Sequence, residues 1–349
     1  MKSTLITSIA AATGLLFSLG CQEKEAELTG EQLDEIAGKY GQFAPDDAWD
    51  KDTGFAYYGS ENEFSLRQFT EVSAERLYKR RGQRQLLKIL DGELDEAIAL
   101  AEFRLEENSQ DAESYYILTV AYSQKKDIDR AMSSMASAIE RGMDFGRFLA
   151  GPRDLLEPLT ESNAFREHAA KVGQRLLHGP MLGSVSSTGA RFWARTSGEN
   201  TVTIRCYDGA DQLVAEGSER SSVEADYTAV VAVSGLKPDK EYSYEILIDG
   251  DPVELETPLR LRTYPREGQS LAFRMGLGGC AGYTPIYERM WSTVASHDLD
   301  AMLMLGDNVY IDVPEMPGAF HDYTYYRRQS NSDFRKLVAS TPMYSIWDD

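Results

Sequence analysis

The sequence predicts a multidomain chain in which a helical segment precedes a β-sandwich and a parallel α/β segment. Three observations support this prediction. Apolar residues recur with helical spacing and self-similarity over residues 73–175. Residues 178–265 alternate between apolar and polar side chains, and from residue 268 short apolar strands alternate with helical stretches. A length of 349 residues is sufficient for two or three domains.

The overall charge narrows the possible classes of function. The net charge is −20, so no basic surface for binding nucleic-acid phosphates is expected. A phosphoester substrate is compatible with this charge, because bound metal cations invert the local potential. The 3 cysteines, Cys21, Cys206 and Cys280, have no paired spacing, so neither a disulfide framework nor a zinc ribbon is predicted.

Residues 1–21 are interpreted as an export signal. Lys2 supplies a positive start, and the apolar stretch that follows is too short to span a bilayer comfortably. The stretch ends Ser-Leu-Gly-Cys at Cys21, which resembles a bacterial lipobox. The resemblance implies lipidation of Cys21 and a lipid anchor to the bacterial membrane, on its periplasmic or cell-surface face. A plain signal peptide is the alternative.

Residues 22–72 are rich in Asp and Glu without a clear period, and they are predicted to form an acidic tether. Self-similarity begins in the next segment, residues 73–175, where Leu94–Ala97 returns 34 residues later as Ile128–Ala131. This period resembles the tetratricopeptide repeat, which implies helical hairpins and a possible protein partner. A generic pair of helical hairpins is the alternative.

A β-sandwich is predicted over residues 178–265. Its strand patterns lie at 190–195, 201–207, 227–233 and 242–248, and Asp249-Gly250 is a hairpin sequence. The pattern Leu236-Lys237-Pro238 followed by Tyr242 and Tyr244 resembles the corner of fibronectin-III-like domains. Cys206 lies on one face of its strand and is predicted to be buried.

The segment 268–349 contains the candidate metal-binding residues. Strands are predicted at 271–277, 300–305 and 343–347, and each is followed by candidate metal ligands. These are Cys280 after the first strand, Asp307 and Tyr310 after the second, and Asp349 after the third. Since ligands bind at the carboxyl ends of parallel strands, the side chains are expected to converge.

The order G-x-C, G-D-x-x-Y and I-W-D-D resembles that of PhoD-like (alkaline phosphatase D type) metallophosphatases, over roughly residues 178–349. The part around Gly183–Arg195 resembles the β domain that precedes their catalytic domain. The resemblance implies a truncated α/β metallophosphatase domain and a phosphoester hydrolase, an alkaline phosphatase or phosphodiesterase, with a dinuclear metal site.

The resemblance also implies a role for each motif residue. Cys280 and Tyr310 would bind ferric iron, Asp307 would bridge the two metals, and Asp349 would bind the second metal, often calcium. Other divalent metals are the alternative to iron and calcium at this site. Asp348 and Asn308 would support these ligands. Thiolate and phenolate suit a strongly Lewis-acidic cation, whereas carboxylate oxygens suit calcium.

The family motif continues to a His beyond Asp349, so no catalytic residue is identified and the chain as written is expected to be inactive. An open apolar edge is expected at the third strand. The histidines His168, His178, His297 and His321 match no motif position, and the last two are expected at the surface. Two alternatives stay open: a surface-anchored, non-catalytic binding protein with a vestigial phosphatase domain, and another dimetal hydrolase acting on phosphodiesters or phospholipids.

Overall fold

The computed structural model describes residues 82–283, 288–311 and 318–346. The predictions for Cys21, the acidic tether, Asp348 and Asp349 lie outside these ranges. None of the helices in the described ranges has the length and apolar character needed to cross a membrane.

The amino-terminal part of the described chain is helical. Its helices are α1 (Gln83–Leu90), α2 (Leu94–Glu107), α3 (Ala112–Gln124), α4 (Ile128–Glu140), α5 (Gly146–Ala150), α6 (Arg153–Thr160) and α7 (Asn163–Val172). Ala97 and Ala131 are fully buried where neighbouring helices meet. Leu155 and Leu159 of α6 and Phe165 of α7 are also buried.

Helix α3 differs from its sequence pattern. The helical spacing of Tyr115, Leu118, Ala121 and Tyr122 predicts one buried face. The buried residues of α3 instead surround most of the helix and include Tyr116, Ile117 and Val120. The reason is its position: α2, α4 and α6 all pack against it. A helix covered on several sides has no solvent face to reveal its orientation in the sequence.

Two antiparallel sheets follow and share one core. Their strands are β1 (Leu176–Gly183), β2 (Gly189–Thr196), β3 (Thr201–Tyr207), β4 (Leu213–Arg220), β5 (Thr228–Ser234), β6 (Glu241–Ile248), β7 (Asp251–Pro252) and β8 (Arg260–Arg262). One sheet has the order β1-β2-β5, and the other has β4-β3-β6-β7 with β8 beside β6. Val202, Ile204 and Cys206 are fully buried between them, and the burial of Cys206 was predicted.

A small parallel sheet ends the described chain. Its strands β9 (Met275–Gly278), β10 (Ala301–Met304) and β11 (Met343–Ser345) lie in the order β11-β10-β9. Both pairings are parallel, as predicted. Helices α8 (Met290–Ala295) and α10 (Ser332–Ser340) cover one face, where Trp291 and Leu337 pack on Met302 and Met304. Asn331 caps α10 by accepting a hydrogen bond from Phe334 N at 2.8 Å.

Helix α9 (Ala319–Gln329) lies between the α/β part and the amino-terminal helices. Its residues Phe320 and Tyr323 are fully buried in the same apolar cluster as the cores of α1 to α4. The helical part therefore does not complete its core alone. Its core also contains side chains of α9, a helix that is distant in the sequence.

Two predictions on this segment are wrong. The first strand begins at Met275 and not at residue 271, because its partner β10 begins only at Ala301, which pairs with Met275. His321 was expected in a polar surface loop, but it lies half-buried in α9. Helix α9 begins at Ala319, directly after Gly318, and therefore includes His321, whose Nε2 is buried. His297 is exposed, as expected.

Candidate metal centre

The parallel pairing of β9 with β10 brings their carboxyl ends together. Met304 pairs with Gly278, and the loops after the two strands are joined by backbone hydrogen bonds. Leu305 N donates to Gly278 O at 2.6 Å, and Ala281 N donates to Asp307 O at 2.8 Å. Cys280 and Asp307 are therefore held side by side on neighbouring loops.

Three of the predicted ligands meet at this point. Cys280 Sγ lies 3.3 Å from Asp307 Oδ2, and the Tyr310 hydroxyl donates to the same oxygen at 2.9 Å. All three side chains are half-buried. The thiol, the carboxylate and the phenol therefore lie together beside the carboxyl ends of β9 and β10. Their role as metal ligands stays a prediction.

The backbone at the centre is unusual. Cys280 has φ 51° and Asp307 has φ 48°, both in the left-handed region, and Gly306 before Asp307 has φ 107°. Asp tolerates this region through local hydrogen bonds, but Cys rarely adopts it. Such conformations persist where the surroundings impose them, and they concentrate at functional sites. Here the left-handed turns direct both side chains to the same spot.

The electrostatics of the cluster favour protons or cations. Burial, followed by the hydrogen bonds with Asp307 and Cys280, raises the pKa of Tyr310 well above its ordinary value, so the phenol is protonated at neutral pH. Asp307 Oδ1 is buried and has no hydrogen-bond partner among the described residues. An orphaned carboxylate oxygen beside a thiol and a phenol is suited to a bound cation.

Few of the described side chains are placed to donate to a metal at this cluster. Within residues 82–283, 288–311 and 318–346, no group of three His, Cys, Asp or Glu residues is placed to hold a metal. Tyr310 supplies the third donor to the Cys280–Asp307 pair. Sulfur, carboxylate oxygen and phenol oxygen together fit the ferric ion that the sequence resemblance implies, and a fourth ligand from the described residues is not evident.

The other predicted residues are only partly placed. Asn308 Nδ2 donates to Ile346 O at 3.3 Å, which links the Asp307 loop to the residue after β11. The next residues, including Asp348 and Asp349, are outside the described ranges. His178 belongs to a separate buried network with Arg195 and Ser330.

Two buried arginines beside the cluster were not foreseen. Arg328 of α9 donates to Ala281 O at 2.5 Å, one residue after Cys280, and its other nitrogen lies 3.5 Å from Glu288. Arg327 stacks on the ring of Tyr283 at 4.3 Å. Both line a small cleft beside Tyr310. A consecutive Arg pair near a helix end is typical of a solvated surface, so the sequence contains no signal for this burial.

Comparison with known proteins identifies one family model. Residues 173–265, the β-sandwich part, match a domain of unknown function, DUF7800. No curated protein matches the chain.

Among solved structures, "Structure of PhoD" shares 18% identity and covers 48% of this chain and 38% of its own, with a TM-score of 0.42. A purple acid phosphatase, PPD1, from yellow lupin (Lupinus luteus) seeds shares 12% identity and covers 50% of this chain and 36% of its own, with a TM-score of 0.35. The chain thus spans well under half the length of these two proteins, and it is structurally similar to them over about half of its own residues.

Proposed function

We propose that this chain is a metal-dependent phosphoester hydrolase of the PhoD-like type. The observation that carries the proposal is the meeting of Cys280, Asp307 and Tyr310 on one carboxylate oxygen, at 3.3 and 2.9 Å. These are the residues whose motifs resemble the metal ligands of that family. The resemblance selects the residues from the sequence, and the geometry independently groups them.

In this proposal Cys280, Asp307 and Tyr310 would hold ferric iron, and Asp307 and Asp349 would hold the second metal. A bound metal pair supplies Lewis acidity, which orients a phosphoester and lowers the pKa of a water molecule. The protein contributes the geometry. The two left-handed turns fix the Cys280 and Asp307 side chains, and the loop-to-loop backbone bonds set their spacing.

Binding of ferric iron, supplied as a soluble chelate, tests the site. Phenolate and thiolate ligands give ferric iron visible charge-transfer absorption, so the wild-type chain should develop a band that saturates at one iron per chain. Tyr310→Phe and Cys280→Ser should each change the band and weaken binding by about tenfold or more. Cys206→Ser is the matched control, because Cys206 is buried far from this loop, between the two antiparallel sheets.

Turnover tests the function itself. Hydrolysis of aryl phosphate mono- and diesters is measured with iron and calcium, on the complete translated reading frame that contains these residues. Metal-dependent hydrolysis that Asp307→Asn abolishes supports the enzyme. Stoichiometric iron binding with no hydrolysis of either ester class would instead favour the non-catalytic binding protein with a vestigial site.

The proposal also includes finer domain identities. We infer that the amino-terminal helices are tetratricopeptide-like, and burial of Ala97 and Ala131 at equivalent places supports this. We infer that the β part is fibronectin-III-like. Lys237 N donates to the Tyr242 hydroxyl at 2.8 Å, the type of bond expected of a tyrosine corner. A protein partner for the helices stays part of the proposal.

An exported, lipid-anchored location is proposed from the sequence alone, since Cys21 lies outside the described residues. Metabolic labelling with a radioactive fatty acid tests it. Lipid should be incorporated into the wild-type chain and not into Cys21→Ala, and labelling of neither chain would indicate a plain signal peptide.

A further inference from the structure

The loop that carries Tyr310 is held by the amino-terminal helices. Gln83, the first residue of α1, is fully buried, and its Nε2 donates to Tyr310 O at 2.8 Å. The same nitrogen lies 3.3 Å from Thr324 Oγ1 of α9. A side chain 227 residues away in the sequence therefore contacts the backbone of a proposed metal ligand.

A second contact anchors the same loop. Ile311, which follows Tyr310, packs against the apolar cluster formed by the helical part. Tyr310 thus lies between two attachments. Its hydroxyl is bonded to Asp307, and its main chain and the next side chain are attached to α1 and its neighbours.

Helix α9 extends this attachment to the Cys280 loop. Thr324, Arg327 and Arg328 line the cleft beside Tyr310, and Arg328 bonds the carbonyl that follows Cys280. Glu113 of α3 accepts a hydrogen bond from Tyr323 of α9. The helical part therefore fixes α9, and α9 contacts both loops of the cluster.

We propose that Gln83 is a positioning residue for Tyr310, so that the amino-terminal helices form part of the metal centre's support. This inference rests on the proposed function. A buried amide that donates to a ligand's backbone restricts the loop to one conformation, and partners of this kind typically alter metal affinity by about 10- to 100-fold. The helical part then has a role in the site that a separate binding module would not have.

Gln83→Met tests the role, since methionine has a similar length and no donor. Gln85→Met is the matched control: Gln85 is also buried in α1, but its side chain accepts a hydrogen bond from Gly82 at the start of the same helix. Two readouts are compared at one pH. One readout is ferric affinity from the charge-transfer band. The other, in metal-free protein, is the alkylation rate of Cys280, whose sulfur lies 3.3 Å from the Asp307 oxygen that accepts from Tyr310.

The expected result is that Gln83→Met weakens ferric binding by about tenfold and speeds Cys280 alkylation severalfold, while Gln85→Met leaves both within about twofold of wild type. Ile311→Ala, which removes the other anchor of the loop, should act in the same direction and serves if Gln83→Met fails to fold. Unchanged readouts in a folded Gln83→Met protein, or equal changes in Gln85→Met, would overturn the inference. If the wild type binds no ferric iron, the proposed function fails, and the alkylation rates alone decide the role of Gln83.

Discussion

Arg147 donates from both terminal nitrogens to the two carboxylate oxygens of Glu113, at 2.9 and 2.7 Å, and both side chains are almost completely buried. Tyr323 of α9 donates to the same carboxylate. The pair thus joins α3, α5 and α9. It is the polar centre of the contact between the amino-terminal helices and the α/β part.

Replacing Glu113 with Gln should destabilise the protein strongly. The change leaves Arg147 buried without its counter-charge, and breaking a buried ion pair on one side typically costs about 3–5 kcal/mol. The loss is measured as the shift in free energy of unfolding in urea, followed by circular dichroism. Glu93→Gln, which breaks an exposed pair with Lys88, should cost about 0–1 kcal/mol.

The pH dependence of Glu113 provides an independent check. Burial would raise its pKa, but the charges of Arg147 and Arg327 and the hydrogen bonds outweigh burial and lower the pKa below 4.5. A carboxyl with a lowered pKa in the folded state contributes stability above its unfolded pKa, and the contribution is lost as pH falls through the folded value. The wild type should therefore lose more stability below about pH 4.5 than Glu113→Gln does. Equal acid sensitivity would contradict the assignment.

His178 is predicted to make stability depend on pH near neutrality. Its Nδ1 lies 2.7 Å from Arg195 Nη1, and since arginine has no acceptor, Nδ1 must accept and the proton resides on Nε2, toward Ser330 Oγ at 2.9 Å. Burial and then the charge of Arg195 lower the pKa of His178 well below 6.5. The folded state therefore holds this ring neutral.

The sign follows from proton uptake. Below pH 6.5 the unfolded chain binds a proton at His178 that the folded chain excludes, so stability falls by up to about 1.4 kcal/mol per pH unit until the folded pKa is reached. His178→Gln should flatten the stability profile between pH 7 and 5, whereas the exposed His297→Gln should leave it unchanged. Urea unfolding at several pH values measures both slopes. Parallel profiles of stability against pH for wild type and His178→Gln would contradict this assignment, because they would mean that the folded and unfolded chains protonate His178 equally.

The sequence predicts the cluster of Cys280, Asp307 and Tyr310 better than it predicts the surroundings of that cluster, for a physical reason. Cys280 and Asp307 each follow an apolar strand, and parallel pairing necessarily places such residues together. The position of α9 has no comparable local rule. Its buried side includes Tyr323 and Arg327, residue types that are common on surfaces. Tyr323 donates to Glu113, 210 residues away, and Arg327 donates to the Tyr323 hydroxyl at 3.4 Å. Long-range polar complementarity of this kind leaves no periodic pattern in one sequence.

One face of the parallel sheet should promote self-association. Helices α8 and α10 cover the opposite face, while Met275, Leu277 and Ile346 are each 52% exposed and Leu305 is 48% exposed. Among the described residues β11 lies at an edge of the sheet, as the sequence led us to expect. The exposed apolar side chains lie on the uncovered face, on β9 and immediately after β10 and β11. An apolar patch of this kind favours association.

The double variant Leu277→Gln with Ile346→Gln should therefore reduce self-association and binding of a hydrophobic dye, with little effect on the unfolding midpoint, since both side chains are half exposed already. Sedimentation velocity over a concentration series measures the first effect. The control is Val223→Gln, an isolated exposed apolar residue in the β-sandwich part. If the double variant and the control self-associate to the same extent as wild type, this face does not mediate self-association.

Cysteine alkylation should distinguish the two cysteines that the structure describes. Burial raises the pKa of Cys206 to about 12 and removes it from solvent, so its thiol should not react in the folded protein. Cys280 is half-buried on a loop and should react with a small maleimide near neutral pH. Peptide mass spectrometry separates the two sites, and labelling in denaturant is the control for equal intrinsic reactivity.

Added ferric chelate should protect Cys280 alone, and this protection should disappear in Asp307→Asn, because the carboxylate that accepts from Tyr310 and contacts the sulfur is then no longer charged. Rapid labelling of Cys206 in the folded state would contradict the burial of β3, whereas labelling of Cys280 at the same rate with and without iron would contradict a metal bound at the sulfur.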